Sequence, residues 1–295
     1  MFPNQVSPMP NGNYPPQQSV QGNPPKGYPA QGQPYDPQQS AHYGDQSMLV
    51  PPRPFQSGLD ILMSLPGIFV KQKFQLLQAL TGCETQNQFM ICPANVDGSP
   101  NFQYPLFQAK EKSGFCVRQF LSPHCRPFNM KVEHEGSGVQ FLWLHRECTC
   151  TFWCLNRPYL EVYFSESGKE PGDYLGKIVN PFKWCNAELC VLGKENDVKY
   201  IIWGDCCQLG FLCKMPFQPC QTVDFNILDG SRNPTDGRLQ KRTAGCWKSA
   251  ISDTSNFSLV FPTKATREER ALLTAAVIML DFMYFQESPD QNDQN

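Results

Sequence analysis

The chain is 295 residues long with a formal net charge of −2 and a sequence pI near 6.1, so it has no global basic field to hold nucleic acid or anionic lipid, and any such contact needs a local patch. The length suits one large all-β domain plus an arm. The opening MFPNQVSPMP has neither the positive nor the apolar region of a secretory signal peptide, which points the chain to the cytosol; there its 14 cysteines stay reduced and serve burial, metal binding or acylation.

Residues 1–55 are built from Pro, Gln, Gly, Asn, Ser and Tyr, as in NYPPQQ and VPPRP. Such a stretch buries too little apolar surface to offset its ordering entropy, so it is predicted disordered, with polyproline II character. It reads as a solvated spacer or as a docking arm for proline-recognising modules. Composition changes at Ser57, where SGLDILMS predicts a short helix over Gly58–Ser64, and the segment Ile68–Leu80 fits helix or strand. The folded domain is therefore set at residues 56–288, with 289–295 as a polar tail.

From about Cys83 to Pro262 short apolar or alternating runs are broken by Gly, Pro, Asn and Asp. Leu160, Val162 and Phe164 alternate with polar neighbours, as do Val223, Phe225 and Ile227, and Val198–Trp203 and Phe257–Phe261 are also β-like. Period two with frequent turn signals predicts a many-stranded antiparallel sheet, closed on itself. The exception comes last. Thr266 can cap a helix, Glu268 and Glu269 suit its first turn, and Ala271–Phe285 is nearly all apolar. A helix hydrophobic on every side demands a protein core or a bilayer. The apolar run rises about 22 Å, whereas a hydrocarbon core of about 30 Å wants some 20 residues, and Asp281 near its end needs an interface or a partner. Ala271, Leu272, Leu273, Val277, Ile278, Leu280, Phe282 and Phe285 are its candidate core or membrane positions.

The order of these pieces resembles that of the phospholipid scramblases. SGLDIL is followed by LLQALTGCETQNQF, CRPF at Cys125–Phe128, the cluster HRECTCTFWC at His145–Cys154, YLGKIVNPF, VDFNI, SNFSLVFP and LDFMYFQES. The collinear order over residues 57–288 carries the resemblance, since no single piece is specific. It implies a fold similar to the tubby-like proteins, an antiparallel β-barrel around one central hydrophobic helix, and an ATP-independent movement of phospholipids between leaflets triggered by calcium.

The resemblance also implies sites. Cys148, Cys150 and Cys154 stand where the family carries its acylated cluster, so palmitate is the expected attachment and buried core cysteines the bland alternative. The family's twelve-residue calcium loop falls on Asp253 to Lys264, with ligands implied at Asp253, Ser255, Phe257, Leu259 and Phe261. Calcium wants six to eight oxygens and a closing bidentate carboxylate, and Lys264 supplies a cation there, so a calcium-independent or inactive member is expected. The stretch carrying Arg238, Lys241, Arg242 and Lys248 reads as a nuclear import signal by resemblance, as a basic patch for anionic lipid, or as a solvated strand edge. Cys206, Cys207, Cys213 and Cys220 invite a zinc reading, although no CxxC pair occurs.

No P-loop, GxSxG or HExxH motif emerges, so covalent catalysis is not expected. The implied partner is a phospholipid membrane contacted from the cytosolic face, at the plasma membrane or another cellular membrane; nucleic acid is not expected as a partner, although without acyl groups a nuclear location follows. One fifteen-residue helix with a single Asp cannot line a headgroup route, so lipid flux would need a homo-oligomer or a thinned bilayer. The rival reading is a palmitoylated membrane adaptor without transport.

Overall fold

A computed structural model describes residues 57–73, 86–114, 117, 121, 125–149, 155–165, 171–212, 222–242 and 256–286. The arm at 1–55, the tail at 289–295 and the docking role suggested for the arm lie outside the described residues.

The chain opens with helix α1 (Gly58–Ser64) and then lays down twelve strands: β1 (Gly67–Gln72), β2 (Gln88–Ala94), β3 (Phe107–Lys112), β4 (Phe128–His134), β5 (Gln140–Arg146), β6 (Tyr159–Phe164), β7 (Asp173–Val179), β8 (Asn186–Leu192), β9 (Val198–Asp205), β10 (Thr222–Asp229), β11 (Pro234–Arg242) and β12 (Asn256–Val260). A four-residue helix α2 (Leu209–Leu212) sits between β9 and β10, and α3 (Arg267–Tyr284) ends the fold. Each strand pairs antiparallel with its neighbour in sequence, and β1 closes on β12, so the sheet is a closed barrel. Closure removes every edge strand. The segment that fitted either helix or strand, Ile68–Leu80, contributes β1, whose Ile68 and Val70 are fully buried.

The interior is filled by α3. Residues Arg270 through Met283 are all buried, which is the environment a helix without a polar face requires. Its start is a capping box: the Thr266 side chain accepts from the Glu269 amide at 3.3 Å and the Glu269 carboxylate accepts from the Thr266 amide at 3.0 Å. Arg270 is buried beside α1, donating to the carbonyls of Leu62, Met63 and Leu65 while its guanidinium lies 5.1 Å from the Phe261 ring centroid. Helix α1 thereby plugs one mouth of the barrel. Gly58 is required there, because a Cβ would stand 2.3 Å from the Phe141 ring.

At the other mouth Phe282 stacks on Phe128 with centroids 4.4 Å apart and tilts against Phe89. Phe285, just past the helix, packs on Phe211 of α2 and on Phe225 and Phe257 of the wall. Asp281 is fully buried and accepts from the Gln286 amide at 3.1 Å, so its cost is met by a partner and not by an interface. Among the described residues no helix is long and apolar enough to cross a membrane.

Phe282→Ala should cost about 3–5 kcal/mol, because the cavity opens between two aromatic neighbours inside a closed wall. Val139→Ala, on a side chain 47% exposed, should stay within about 0.5 kcal/mol. Urea unfolding midpoints of the two variants check both values.

Candidate functional site

In an up-and-down barrel, the connections leading from odd to even strands emerge at one end and those leading from even to odd strands at the other. The odd-to-even end is also where α3 finishes, since Gln286 reaches Asn87 in the β1–β2 connection. Every cysteine except Cys92 and Cys190 belongs by chain position to an odd-to-even connection. Of these, Cys125, Cys148, Cys185, Cys206 and Cys207 are described, all as free thiols, with Cys148, Cys185 and Cys207 exposed. Trp184, 81% exposed, and Leu155, 64% exposed, stand at the same end.

Under this thiol-bearing end lies a layer of buried charge. Glu111 at the end of β3 is 1% exposed, as are Arg126 and Arg146. The Arg126 Nε lies 3.6 Å from Glu111 Oε1, and Glu111 Oε2 accepts from the Asn87 amide at 3.0 Å and from its side chain at 2.7 Å. The two guanidiniums lie over Phe282 and Phe128. Burial, and then the charge of Arg126, pull the Arg146 guanidinium down to about 10. Two cations against one carboxylate suit the helix C-terminus, whose partial negative charge they oppose. Arg126 is part of the CRPF run and Arg146 precedes the cysteine cluster, so both were in view in the sequence, but nothing local marked them as buried.

The implied acylation cysteines are only partly described. Cys148 is exposed two residues beyond β5, and the Thr149 amide donates to the Cys125 carbonyl at 3.3 Å. Cys150 and Cys154 lie outside the described residues. For zinc, Cys213 and Cys220 also lie outside, while the ligand atoms of Asp205, Cys206 and Cys207 fall within 4.8 Å of one another. The Cys206 thiol donates to the Cys185 carbonyl and is raised by desolvation and by the neighbouring thiols.

The residues that the calcium loop would use are not a loop where they are described. Asp253 and Ser255 lie outside the described residues. Phe257 and Leu259 belong to β12, a strand paired on both sides, with β1 and with β11, and their side chains are fully buried. Carbonyls running in two ladders and phenyl rings in a core offer no oxygen shell, and Phe261 is likewise buried. Lys264 sits in the turn before α3. These residues do not fit calcium.

The basic stretch is not one patch and not a strand edge. Strand β11 is paired with β10 and β12. Leu239 and Lys241 face inward, the Lys241 ammonium standing 4.1 Å from the Phe285 ring centroid, whereas Arg238 and Arg242 face outward. The period of two divides what looked contiguous in sequence, and Lys248 lies outside the described residues.

One further feature had no signal in the sequence. Strand β7 pairs with β8 only over Lys177–Val179 and Cys190–Leu192, so the two part toward the thiol-bearing end. There Asn180 Nδ2 donates to the Glu188 carbonyl at 3.0 Å and the Glu188 amide donates to the Tyr284 hydroxyl at 3.2 Å, closing the gap with side chains. A cleft of about 300 Å³ remains, lined by Arg157, Asn180, Phe182, Lys183, Met283 and Tyr284 among others.

A closed twelve-strand barrel filled by its own C-terminal helix, with thiols and an exposed tryptophan at one end, defines a helix-plugged barrel of tubby-like architecture. The family model for Scramblase matches residues 46–287, and the chain belongs to the scramblase family, as a protein of phospholipid scramblase type. It is 25% identical to human phospholipid scramblase 1 over 245 residues, covering 83% of this chain and 71% of that protein. It is 26% identical to the rat phospholipid scramblase 1 over 280 residues (94% and 77%), and 24% identical to bovine phospholipid scramblase 2 over 268 residues (89% and 83%). No solved structure matches the chain.

Thiol reactivity should follow this geometry. Burial pushes Cys92 up to about 11, so at pH 8 only about a thousandth is thiolate, and alkylation needs the thiolate. Brief treatment of the native chain with iodoacetamide, followed by peptide mass mapping, should label Cys148, Cys185 and Cys207 and spare Cys92 until urea is added.

Proposed function

We propose that this protein is a membrane-peripheral scramblase that promotes ATP-independent, bidirectional movement of phospholipids, without calcium at residues 253–264 and without covalent catalysis. The observation that supports a peripheral reading is the use of α3: among the described residues, the one long apolar helix is consumed inside the barrel, so attachment falls to the outside of the fold. The thiol-bearing end supplies it. Palmitate on Cys148, Cys150 and Cys154 adds about 0.8 kcal/mol per buried methylene, and two chains suffice for stable anchoring. The barrel then stands on the cytosolic face with Trp184 and Leu155 toward the headgroups.

A second reading has its own support. A filled barrel offers no polar route for a headgroup through its interior, so a single copy flips lipid only by disturbing the bilayer around it, and an acylated adaptor with no transport activity accounts for the same structure. Proline-recognising partners of the N-terminal arm belong to that reading; a homo-oligomer belongs to the first.

Reconstitution separates them. In liposomes carrying a fluorescent lipid in both leaflets, dithionite should quench beyond the outer-leaflet half, and equally with calcium or chelator. Calcium-dependent quenching defeats the calcium-independent reading, and no quenching beyond half leaves the adaptor. In cells, the triple variant C148S/C150S/C154S should move from the membrane fraction to the soluble fraction.

A further inference from the structure

Strand β8 starts and strand β9 finishes at the thiol-bearing end of the barrel, and three thiols and a carboxylate meet there. Asn186 is paired with Asp205 in the ladder, so one step further on Cys185 stands opposite Cys206, and the Cys206 amide donates to the Cys185 carbonyl at 3.4 Å. The Cys206 side chain hydrogen-bonds with the side chains of both Cys185 and Cys207. The ligand atoms of Asp205, Cys206 and Cys207 all lie within 4.8 Å of one another. The turn that carries them is fixed on both sides. Asp205 Oδ1 accepts from the Cys207 amide at 2.9 Å. The Gln208 side chain donates to the Asp205 carbonyl at 3.1 Å and to the Asp224 carbonyl at 2.8 Å, and accepts from the Asp224 amide at 2.7 Å, which ties the turn to β10.

The donor set selects the ligand. Zinc bonds to sulfur at about 2.3 Å, which puts tetrahedral ligand atoms about 3.7 Å apart, so donors already within 4.8 Å close on an ion by side-chain rotations of about 1 Å. Calcium and magnesium take shells of oxygen and have no use for three thiols. Cys185 and Cys207 are exposed and Cys206 is half-buried, so an ion has a path in. The other uses of a surface thiol do not explain the convergence. An acyl anchor needs neither a second sulfur nor a carboxylate beside it. Desolvation first, and then the neighbouring thiols, raise the Cys206 thiol, which makes it a poor nucleophile at neutral pH.

We propose that Cys185, Cys206, Cys207 and the remaining carboxylate oxygen of Asp205 form a four-ligand site for a thiophilic divalent ion of the zinc class. The set differs from the one that the sequence suggests, Cys206 and Cys207 with Cys213 and Cys220, because Cys185 lies 21 residues before Cys206 and only the strand pairing brings it there. Four protein ligands leave no open position, so the site is structural and not hydrolytic. The ion clasps the start of β8 to the turn that leads into α2, whose Phe211 stacks on Phe285 at 5.3 Å between centroids, and so steadies the cover over the C-terminal end of α3. When occupied it also withdraws two exposed thiols from acylation and alkylation.

The test uses the full-length chain, reduced and stripped with chelator and then freed of both reagents, and maps iodoacetamide labelling by peptide mass with and without Zn²⁺. An equimolar amount of zinc should slow labelling of Cys185 and Cys207 at least about 10-fold, because a bound thiolate is no longer a free nucleophile, and should leave Cys148, exposed at the same end, unchanged. Calcium or magnesium in place of zinc should protect none of the three. In competition with a chromophoric chelator, Cys206→Ser should weaken zinc binding at least about 100-fold and Asp205→Ala about 10-fold, since loss of even an outer partner of a metal site costs about 10–100-fold. Melting curves establish that each variant is folded, and Cys207→Ser stands in if Cys206→Ser is not. Equal protection of Cys148, protection that survives Cys206→Ser, or no protection overturns the site. A disulfide joining Cys185 to Cys206 in the freshly isolated chain, in place of a bound ion, also overturns it. Because the readout is thiol labelling and metal competition, the outcome is independent of whether the protein moves lipid.

Discussion

A helix buried on every side from Arg270 to Met283 must be covered all round, and this chain covers it with its own sheet. The hydrophobic term scales with apolar area removed from water, at about 25 cal/mol per Å², and a closed wall is the geometry that removes the most from a single cylinder. The inward positions of β1, β2, β4, β10 and β12, among them Ile68, Phe89, Met130, Phe225 and Phe257, have side chains with little or no exposure only because α3 stands behind them. Without the helix the barrel would enclose a void, and without the barrel the helix would aggregate or enter lipid. Each element is therefore stable only in the presence of the other, and this coupling fixes where everything else lies.

The two ends of the barrel then inherit different tasks from the direction of α3. Its N-terminus carries orphan amides, met by the Thr266 and Glu269 capping box, and its first turn meets α1 through Arg270 and through the Arg267–Asp60 pair at 3.3 Å. That mouth is closed by short-range interactions and by a helix that fits only because residue 58 is glycine. The C-terminal mouth has the opposite polarity and is closed by cations: Arg126 and Arg146 lie over its phenyl rings, and Lys241 lies over Phe285. Because odd-to-even connections share this end, Cys125, Cys148, Cys185, Cys206 and Cys207, scattered over the sequence, converge on it. The convergence is a property of the topology and not of any motif.

What could be read in advance follows the range of the interaction. Alternation at Val223, Phe225 and Ile227 is a local signal that survived, as did Thr266 before an apolar run and the short helix at Gly58–Ser64. Lys241 was grouped with Arg238 and Arg242 because they are near in sequence, and strand alternation separated them. The calcium positions at Phe257, Leu259 and Phe261 were placed by resemblance, while pairing on both sides of β12 decides their geometry. Nothing local to Asn180, Glu188 or Tyr284 indicates that they meet, since Tyr284 lies 96 residues beyond Glu188. Burial of Glu111, Arg126 and Arg146 is similarly invisible without the helix end that sits on them.

The filled interior also constrains how such a barrel could carry out the proposed lipid movement. Larger barrels conduct because their lumen is wet, and this one is packed along its axis by Leu272, Ala276, Leu280 and Phe282. Opening it would expose the helix and forfeit the burial that holds the wall closed, so a gated lumen is the most expensive route available to this fold. The surface is the inexpensive one. Under the proposed function, a headgroup moving along the outside of the barrel would stay solvated on one side while its acyl chains stay in the bilayer. On that proposed route the energetic difficulty would move from the protein to the hydrocarbon, where a thinner bilayer shortens the path a charge must cross.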